Sequence, residues 1–320
     1  MRIGILAYDG CVASGVSGFC DALAVANALA GRELFITRVV SRDGAPVRPF
    51  SGPPLCVDCP MNEPMRDEPL WDAVYIPPAF GLDAPHTELA AWVSRAHASG
   101  AVACAACAGV YFLAEAGLLT DRAATTHWGL AENFTVRYPD VRLTPEQMLV
   151  DGGDYICAGG LTAYFDLALR LTARFASSEL AASCARVLLL DPGRARQTPY
   201  MNLISQPLHG DASIIEAQKW LEKHYARPLC IKALAEAARL GERTLLRRFK
   251  KATGRTPREY LQALRIERAK RLLESGNASV DEIAAQAGHS DTPSFFRLFK
   301  GLTGLTPGEY RKRFGIPLRG

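Results

Sequence analysis

Lysine is missing from the whole first part of the chain: every lysine lies at or after Lys219. Residues 1–210 hold 15 Arg against 21 Asp and Glu, a net charge of −6. Residues 211–320 hold 22 Lys and Arg against 12 acids, a net of +10, so the overall +4 hides two different parts. An acidic part joined to a smaller basic part suits a sensing or catalytic domain fused to a nucleic-acid-binding one, although charge alone fits a solvated basic face as well. No apolar run approaches the ~18 residues of a bilayer-spanning helix. The N-terminus lacks the apolar region and small-residue cleavage site of an export signal. A mature cytoplasmic protein is expected, its nine cysteines reduced thiols. A composition 48% hydrophobic and 22% charged excludes a largely disordered chain, and 320 residues predict two domains.

Two cysteine pairs, Cys56/Cys59 and Cys104/Cys107, have the CxxC spacing of zinc sites. Cys104 and Cys107 lie in a strand-like run with no glycine or basic residue between them, so no metal is expected. Cys56 and Cys59 sit among Pro53, Pro54 and Pro60 and read as a surface loop, a redox pair being the alternative. No cofactor is expected.

The boundary falls after Leu190. Pro-, Gly- and polar-rich segments at 191–199 and 206–211 read as a linker over 191–212, with Asp211 or Ser213 capping the next helix. Beyond it the chain repeats. Shifted by fifty residues, Arg247-x-Phe249-Lys250-x-x-Thr253-Gly254-x-Thr256-Pro257-x-Glu259-Tyr260 matches Arg297 to Tyr310 at nine of fourteen positions. Each unit reads as helix, tight turn, helix, with Phe249 and Phe299 inward and a linking helix over 257–274. Two helices across a short turn form the helix-turn-helix, whose second helix enters the major groove. The expected exposed residues are Glu242, Arg243, Leu246 and Arg247 on the first recognition helix, and Thr292, Ser294 and Arg297 on the second. The arginines suit guanine or phosphate; Lys250, Lys251, Arg255 and Lys300 suit phosphate. With this signature, residues 213–315 resemble the AraC/XylS-type DNA-binding domain. His289 stands where that family usually has an aromatic residue.

Residues 1–190 alternate apolar strands with amphipathic helices, which predicts a parallel sheet covered on both faces. Strands are expected over 3–8, 34–40, 73–77, 101–106 and 155–157, and helices over 16–29, 84–98, 108–116, 161–175 and 179–190. Ala101 to Cys107, followed by Ala108-Gly109 and a helix, has the layout of a nucleophile elbow. From spacing alone, an inert buried cysteine fits as well.

The wider run Cys107-Ala-Gly…Leu113-Ala-x-Ala-Gly117…Thr125-Thr126-His127-Trp128 resembles the ThiJ/PfpI, class I glutamine amidotransferase-like domain, and the whole chain resembles the GlxA family of transcriptional regulators. The resemblance implies a flavodoxin-like parallel α/β sandwich followed by an all-α double helix-turn-helix domain. It implies an acid on the first helix near the elbow cysteine, a position given to Asp21. Superfamily enzymes often carry histidine after the cysteine; Ala108 stands there. A sensing role follows, with Asp21, Cys107, Ala108 and His127 around a ligand pocket and no catalysis. The effector would be a small metabolite, an amino acid or an amine whose cation meets Asp21. The implied partners are promoter DNA, RNA polymerase and a second copy of the chain, with the protein acting as an activator. The alternatives are a cysteine-dependent amidase or hydratase using Cys107, and a ligand-free architectural DNA binder.

Overall fold

The computed structural model describes residues 1–62, 71–81, 86–204 and 209–315. Two compact units divide the chain, residues 1–197 and 198–320. The expected helix start at Ala84 and the linker residues 206–208 lie outside the described residues.

The first unit runs β1 (Arg2–Leu6), α1 (Ala13–Ala30), β2 (Ile36–Ser41), β3 (Cys59–Pro60), β4 (Ala73–Ile76), α2 (Thr87–Ala98), β5 (Val102–Ala106), α3 (Val110–Glu115), β6 (Ala123–Ala124), α4 (Ala131–Arg137), β7 (Arg142–Leu143), β8 (Leu149–Asp151), β9 (Tyr155–Ala158), α5 (Tyr164–Phe175) and α6 (Ser178–Val187). The main sheet has the order β3-β2-β1-β4-β5-β9-β8. All its pairs are parallel except β8 with β9. The central strands β4, β5 and β9 are buried throughout, which is why their sequences are apolar without alternation. The longer parallel strands lie β2-β1-β4-β5-β9, the flavodoxin-type order. Right-handed crossovers therefore place α1 on one face, where it packs with α5 and α6, and α2 with α3 on the other. Phe19 of α1 stacks on Tyr75 of β4 with ring centroids 4.0 Å apart, at the middle of the core.

Two expectations are corrected here. Helix α1 is, by length and composition, apolar enough to cross a membrane, although no such run was expected. Its Gly15, Val16, Phe19, Ala22, Leu23 and Ala26 form the face buried in this unit. Cys59 is not in a loop: it is buried in β3, while Cys56 is exposed. Cys104 lies inside β5, four strands along the sheet from β3. Four strand spacings amount to roughly 19 Å, so the two CxxC pairs cannot share an ion.

The second unit is helical: α7 (Ala212–His224), α8 (Ile231–Ala237), α9 (Glu242–Thr253), α10 (Pro257–Ser275), α11 (Val280–Gln286), α12 (Thr292–Thr303) and α13 (Pro307–Phe314). It has two cores. Ile214, Leu221, Leu234, Leu245, Phe249 and Tyr260 belong to one; Ile266, Leu273, Ile283, Phe295, Phe299 and Tyr310 to the other. Helix α10 supplies its first half to one core and its second half to the other.

The segment expected as a linker is structured at both ends. Arg194 pairs with Asp166 in the first unit, and Gln197 is buried there. Tyr200 accepts a hydrogen bond from Arg313, and the Met201 carbonyl accepts one from Lys270. Asp211 caps α7 through the Ile214 N–H and pairs with Arg248.

Candidate functional site

Small residues let the chain turn sharply at the end of β5. Cys107 has a φ of 55°. That is a left-handed conformation, unusual for a residue with a Cβ. Gly109 is required two residues on: a Cβ there would stand 2.7 Å from the Ile76 carbonyl oxygen. Thr126 Oγ1 donates to the Cys107 carbonyl at 2.7 Å and braces the turn.

The elbow opens into a cavity of about 630 Å3. Cys107, Ala108, Tyr111, His127, Arg137 and Leu161 are among its lining residues. It lies beyond the carboxyl ends of β4, β5 and β9, where ligand sites of open α/β sheets form. Three of the four expected pocket residues thus meet there. Asp21 does not. It is exposed on α1, turned away by the helical period that carries Phe19, Ala22 and Leu23 inward. The inward residue at the start of α1 is Gly15, packed against Pro78.

The electrostatics of the elbow suit binding better than attack. Burial pushes the Cys107 thiol up to about 11, against a smaller opposing effect of the Ala108 N–H. At neutral pH the sulfur is therefore a thiol, whereas nucleophilic cysteines are thiolates. Burial also lowers the pKa of His127, and its Nδ1 accepts the Gly129 N–H at 3.0 Å. Among the described residues no hydrogen bond joins His127 to Cys107.

Gln197 was not singled out in the sequence. Its Nε2 donates to the Thr126 carbonyl at 2.8 Å and to the Gln147 carbonyl at 3.0 Å, and its Oε1 accepts the Trp128 N–H at 3.2 Å. The last residue of the first unit is thus bonded to the Thr-Thr-His-Trp segment that lines the cavity. No motif marks it, because its partners are mostly backbone groups distant in sequence.

In the second unit the repeated signature separates into two kinds of residue. Phe249 and Tyr260 meet edge-on at 5.4 Å, as do Phe299 and Tyr310. Thr253 and Thr303 each donate to the carbonyl of the preceding phenylalanine at 2.8 Å. Gly254 and Gly304 close α9 and α12 in left-handed conformations. Thr256 with Glu259, and Thr306 with Glu309, form capping boxes with proline in the first turn.

Only Arg247/Arg297 and Lys250/Lys300 remain without a folding role, and of these Lys250, Lys300, Arg247 and Arg297 all lie toward the solvent side of their helices. Glu242, Arg243, Leu246 and Lys251 are exposed beside them on α9. On α12, Ser294 accepts from Arg297, and Thr292 is tied to Asp281. Arg255 is corrected: its Nη1 donates to the Leu203 carbonyl at 2.6 Å, so it fastens the chain rather than facing outward. His289 packs on Phe295 with ring centroids 5.1 Å apart, taking the place of the usual aromatic. Phe296, which no motif marks in the sequence, is exposed on α12.

Comparison with known proteins agrees with this division. Residues 2–174 match the DJ-1/PfpI family, and residues 234–313 match a helix-turn-helix domain. The HTH-type transcriptional regulator CdhR of Pseudomonas aeruginosa is 30% identical over 302 residues, covering 92% of this chain and 88% of that protein. The HTH-type transcriptional regulator GbdR of the same species is 27% identical over 327 residues, covering 99% and 85%. A crystal structure of a transcriptional regulator from Vibrio parahaemolyticus superposes with a TM-score of 0.53 at 20% identity, covering 59% of this chain and 98% of that one. Drosophila melanogaster DJ-1beta does so with 0.50 at 17%, covering 59% and 98%.

Proposed function

The chain belongs to the AraC-family transcriptional regulators that carry a DJ-1/PfpI domain, and from that premise we propose that the elbow cavity is an effector site controlling promoter binding. One observation carries the reading: an elbow cysteine opens onto the cavity, yet among the described residues no base is hydrogen-bonded to it, and burial raises its pKa besides. Such a site can hold a molecule without reacting with it. Cys107, Ala108 and His127 form its floor; Asp21 stands outside and takes no part. The relatives' names describe transcriptional regulators, which favours sensing over an amidase or hydratase.

The second unit supplies the output. Arginines of α9 and α12 read base edges while Lys250, Lys251 and Lys300 hold phosphates. The effector acts only by favouring one conformation over another. A dimer of the chain at an activated promoter, engaging RNA polymerase, completes the reading.

The test is a promoter reporter in cells with full-length variants. Cys107→Ala is expected to keep regulation, because the sulfur performs no chemistry. Leu161→Trp, which fills the cavity, is expected to abolish the response to effector while leaving DNA affinity intact. Loss of regulation in Cys107→Ala together with turnover by the parent protein would replace this reading with the enzymatic one.

A further inference from the structure

The polar groups of the cavity point to the class of its ligand, an inference that rests on the sensing reading above. Arg137 is its permanently charged lining residue, and no Asp or Glu lines it among the described residues. The guanidinium is held from behind: Nη2 pairs with Glu115, which also accepts the Tyr138 hydroxyl at 3.1 Å and the His86 N–H at 3.0 Å. The rings of Tyr111 and Tyr138 flank it at 5.5 and 5.4 Å. Among the described residues, its Nε and Nη1 have no protein partner.

Asn133, one turn earlier on α4, accepts the Tyr111 hydroxyl at 2.9 Å, which leaves its amide as a donor. Ala79, Phe80, Leu130 and Leu161 make the other walls apolar. An oriented arginine fork beside an amide donor matches a carboxylate. We propose that the cavity binds a small organic carboxylate, the acid group against Arg137 and Asn133 and the carbon body against Phe80 and Leu161. An amine without a carboxylate leaves the Arg137 N–H groups and the Asn133 amide without an acceptor.

The experiment is thermal shift of the full chain with straight-chain acids of three to eight carbons and the amides and amines of equal length. Saturable stabilisation by acids alone is expected, with dissociation constants raised about tenfold in Arg137→Gln and in Asn133→Ala. Equal stabilisation by amides, preference for amines, acid binding unchanged in both variants, or no response to any acid would overturn the proposal. Failure of the sensing reading shows separately, as an unaltered reporter response in Leu161→Trp.

A second inference comes from the DNA-binding unit alone. Leu246 on α9 is 43% exposed and Phe296 on α12 is 37% exposed, and they occupy the same position of the fifty-residue repeat. Each directly precedes the repeated arginine of its recognition helix, and neither belongs to the two cores. Phe296 meets the core ring of Phe295 edge-on at 6.2 Å, but both side chains keep a large apolar surface turned to solvent. In the major groove only thymine presents a methyl group. We infer that Leu246 and Phe296 each select a thymine through its C5-methyl.

The test begins with a site selected from random duplexes by the full chain, each thymine then replaced in turn by deoxyuridine. One thymine under each of the two recognition helices is expected to lose affinity several-fold when its methyl is removed. Leu246→Ala should remove that loss at one position and Phe296→Ala at the other. Absence of any methyl-sensitive thymine, or an undiminished loss in both variants, would overturn the assignment.

Discussion

Cys107 is held in a left-handed conformation and is buried, and burial raises its pKa to about 11, which can be tested directly. An exposed thiol titrates near ~8.5, so at pH 8 Cys107 should be alkylated by iodoacetamide ~100-fold more slowly than an exposed cysteine. Cys56 and Cys230 are exposed and serve as the internal standards. Peptide mass spectrometry resolves the three, and the Cys107 rate should climb as pH approaches about 11. Comparable rates at pH 8 would show a thiolate and reopen catalysis. Gly109→Ala drives a Cβ against the Ile76 carbonyl. The substitution should cost about 1–3 kcal/mol, seen as a lower Tm. The elbow was legible only through the wider run to Thr125-Thr126-His127-Trp128, because the Cys-Ala-Gly spacing alone fits an inert buried cysteine as well. Asp21 was misplaced because it was carried over from the resemblance as the acid of the first helix, whereas the helical period puts it on the exposed side of α1. Arg137 had no signal at all: it enters the cavity from a short helix with no motif, paired to Glu115, which lies far back in the sequence.

The linking helix of the second unit was legible to within a residue, expected over 257–274 and found as Pro257–Ser275, because its start is written in side chains that cap. Thr256→Ala and Thr306→Ala should each cost about 1 kcal/mol, and Phe249→Ala or Phe299→Ala about 3–5 kcal/mol, by denaturant unfolding of the full chain. His289 adds a dependence on acidity. Burial lowers its pKa, Arg265 acts in the same direction, and Asp291 opposes them. The unfolded chain therefore takes up this proton at a higher pH than the folded one. Stability is intact above the ordinary histidine range and is lost as pH falls through it. His289→Phe should flatten the Tm against pH between about 7 and 5; an unchanged profile would assign the loss elsewhere. The repeat also explains its own limit. Seven of the nine matched positions serve folding, so the signature announces the fold far more loudly than the bases it reads.

Charge divides between the two units, every lysine lying in the second, which contains the match to the helix-turn-helix domain. Lys251→Ala should weaken binding to all DNA sequences and reduce the salt slope by about one, whereas Arg247→Ala should relax preference at one base pair. Equilibrium titrations at several salt concentrations separate the two. The break between the units, at 197/198, falls inside the stretch expected as a linker over 191–212, but the fastening of its first residues was not legible. Gln197 is committed to the first unit by hydrogen bonds to backbone groups, and such bonds leave no trace in composition. That commitment leaves the chain almost no slack. Gln197 is locked by the Thr126 carbonyl and Tyr200 is bonded to Arg313. Three peptide steps separate them, roughly 10 Å of extended backbone. On the sensing role proposed above, so short a connection would be the route by which the effector acts on promoter binding. Glycine-serine residues spliced in after Gln197 should uncouple effector from promoter step by step while each unit keeps its own affinity.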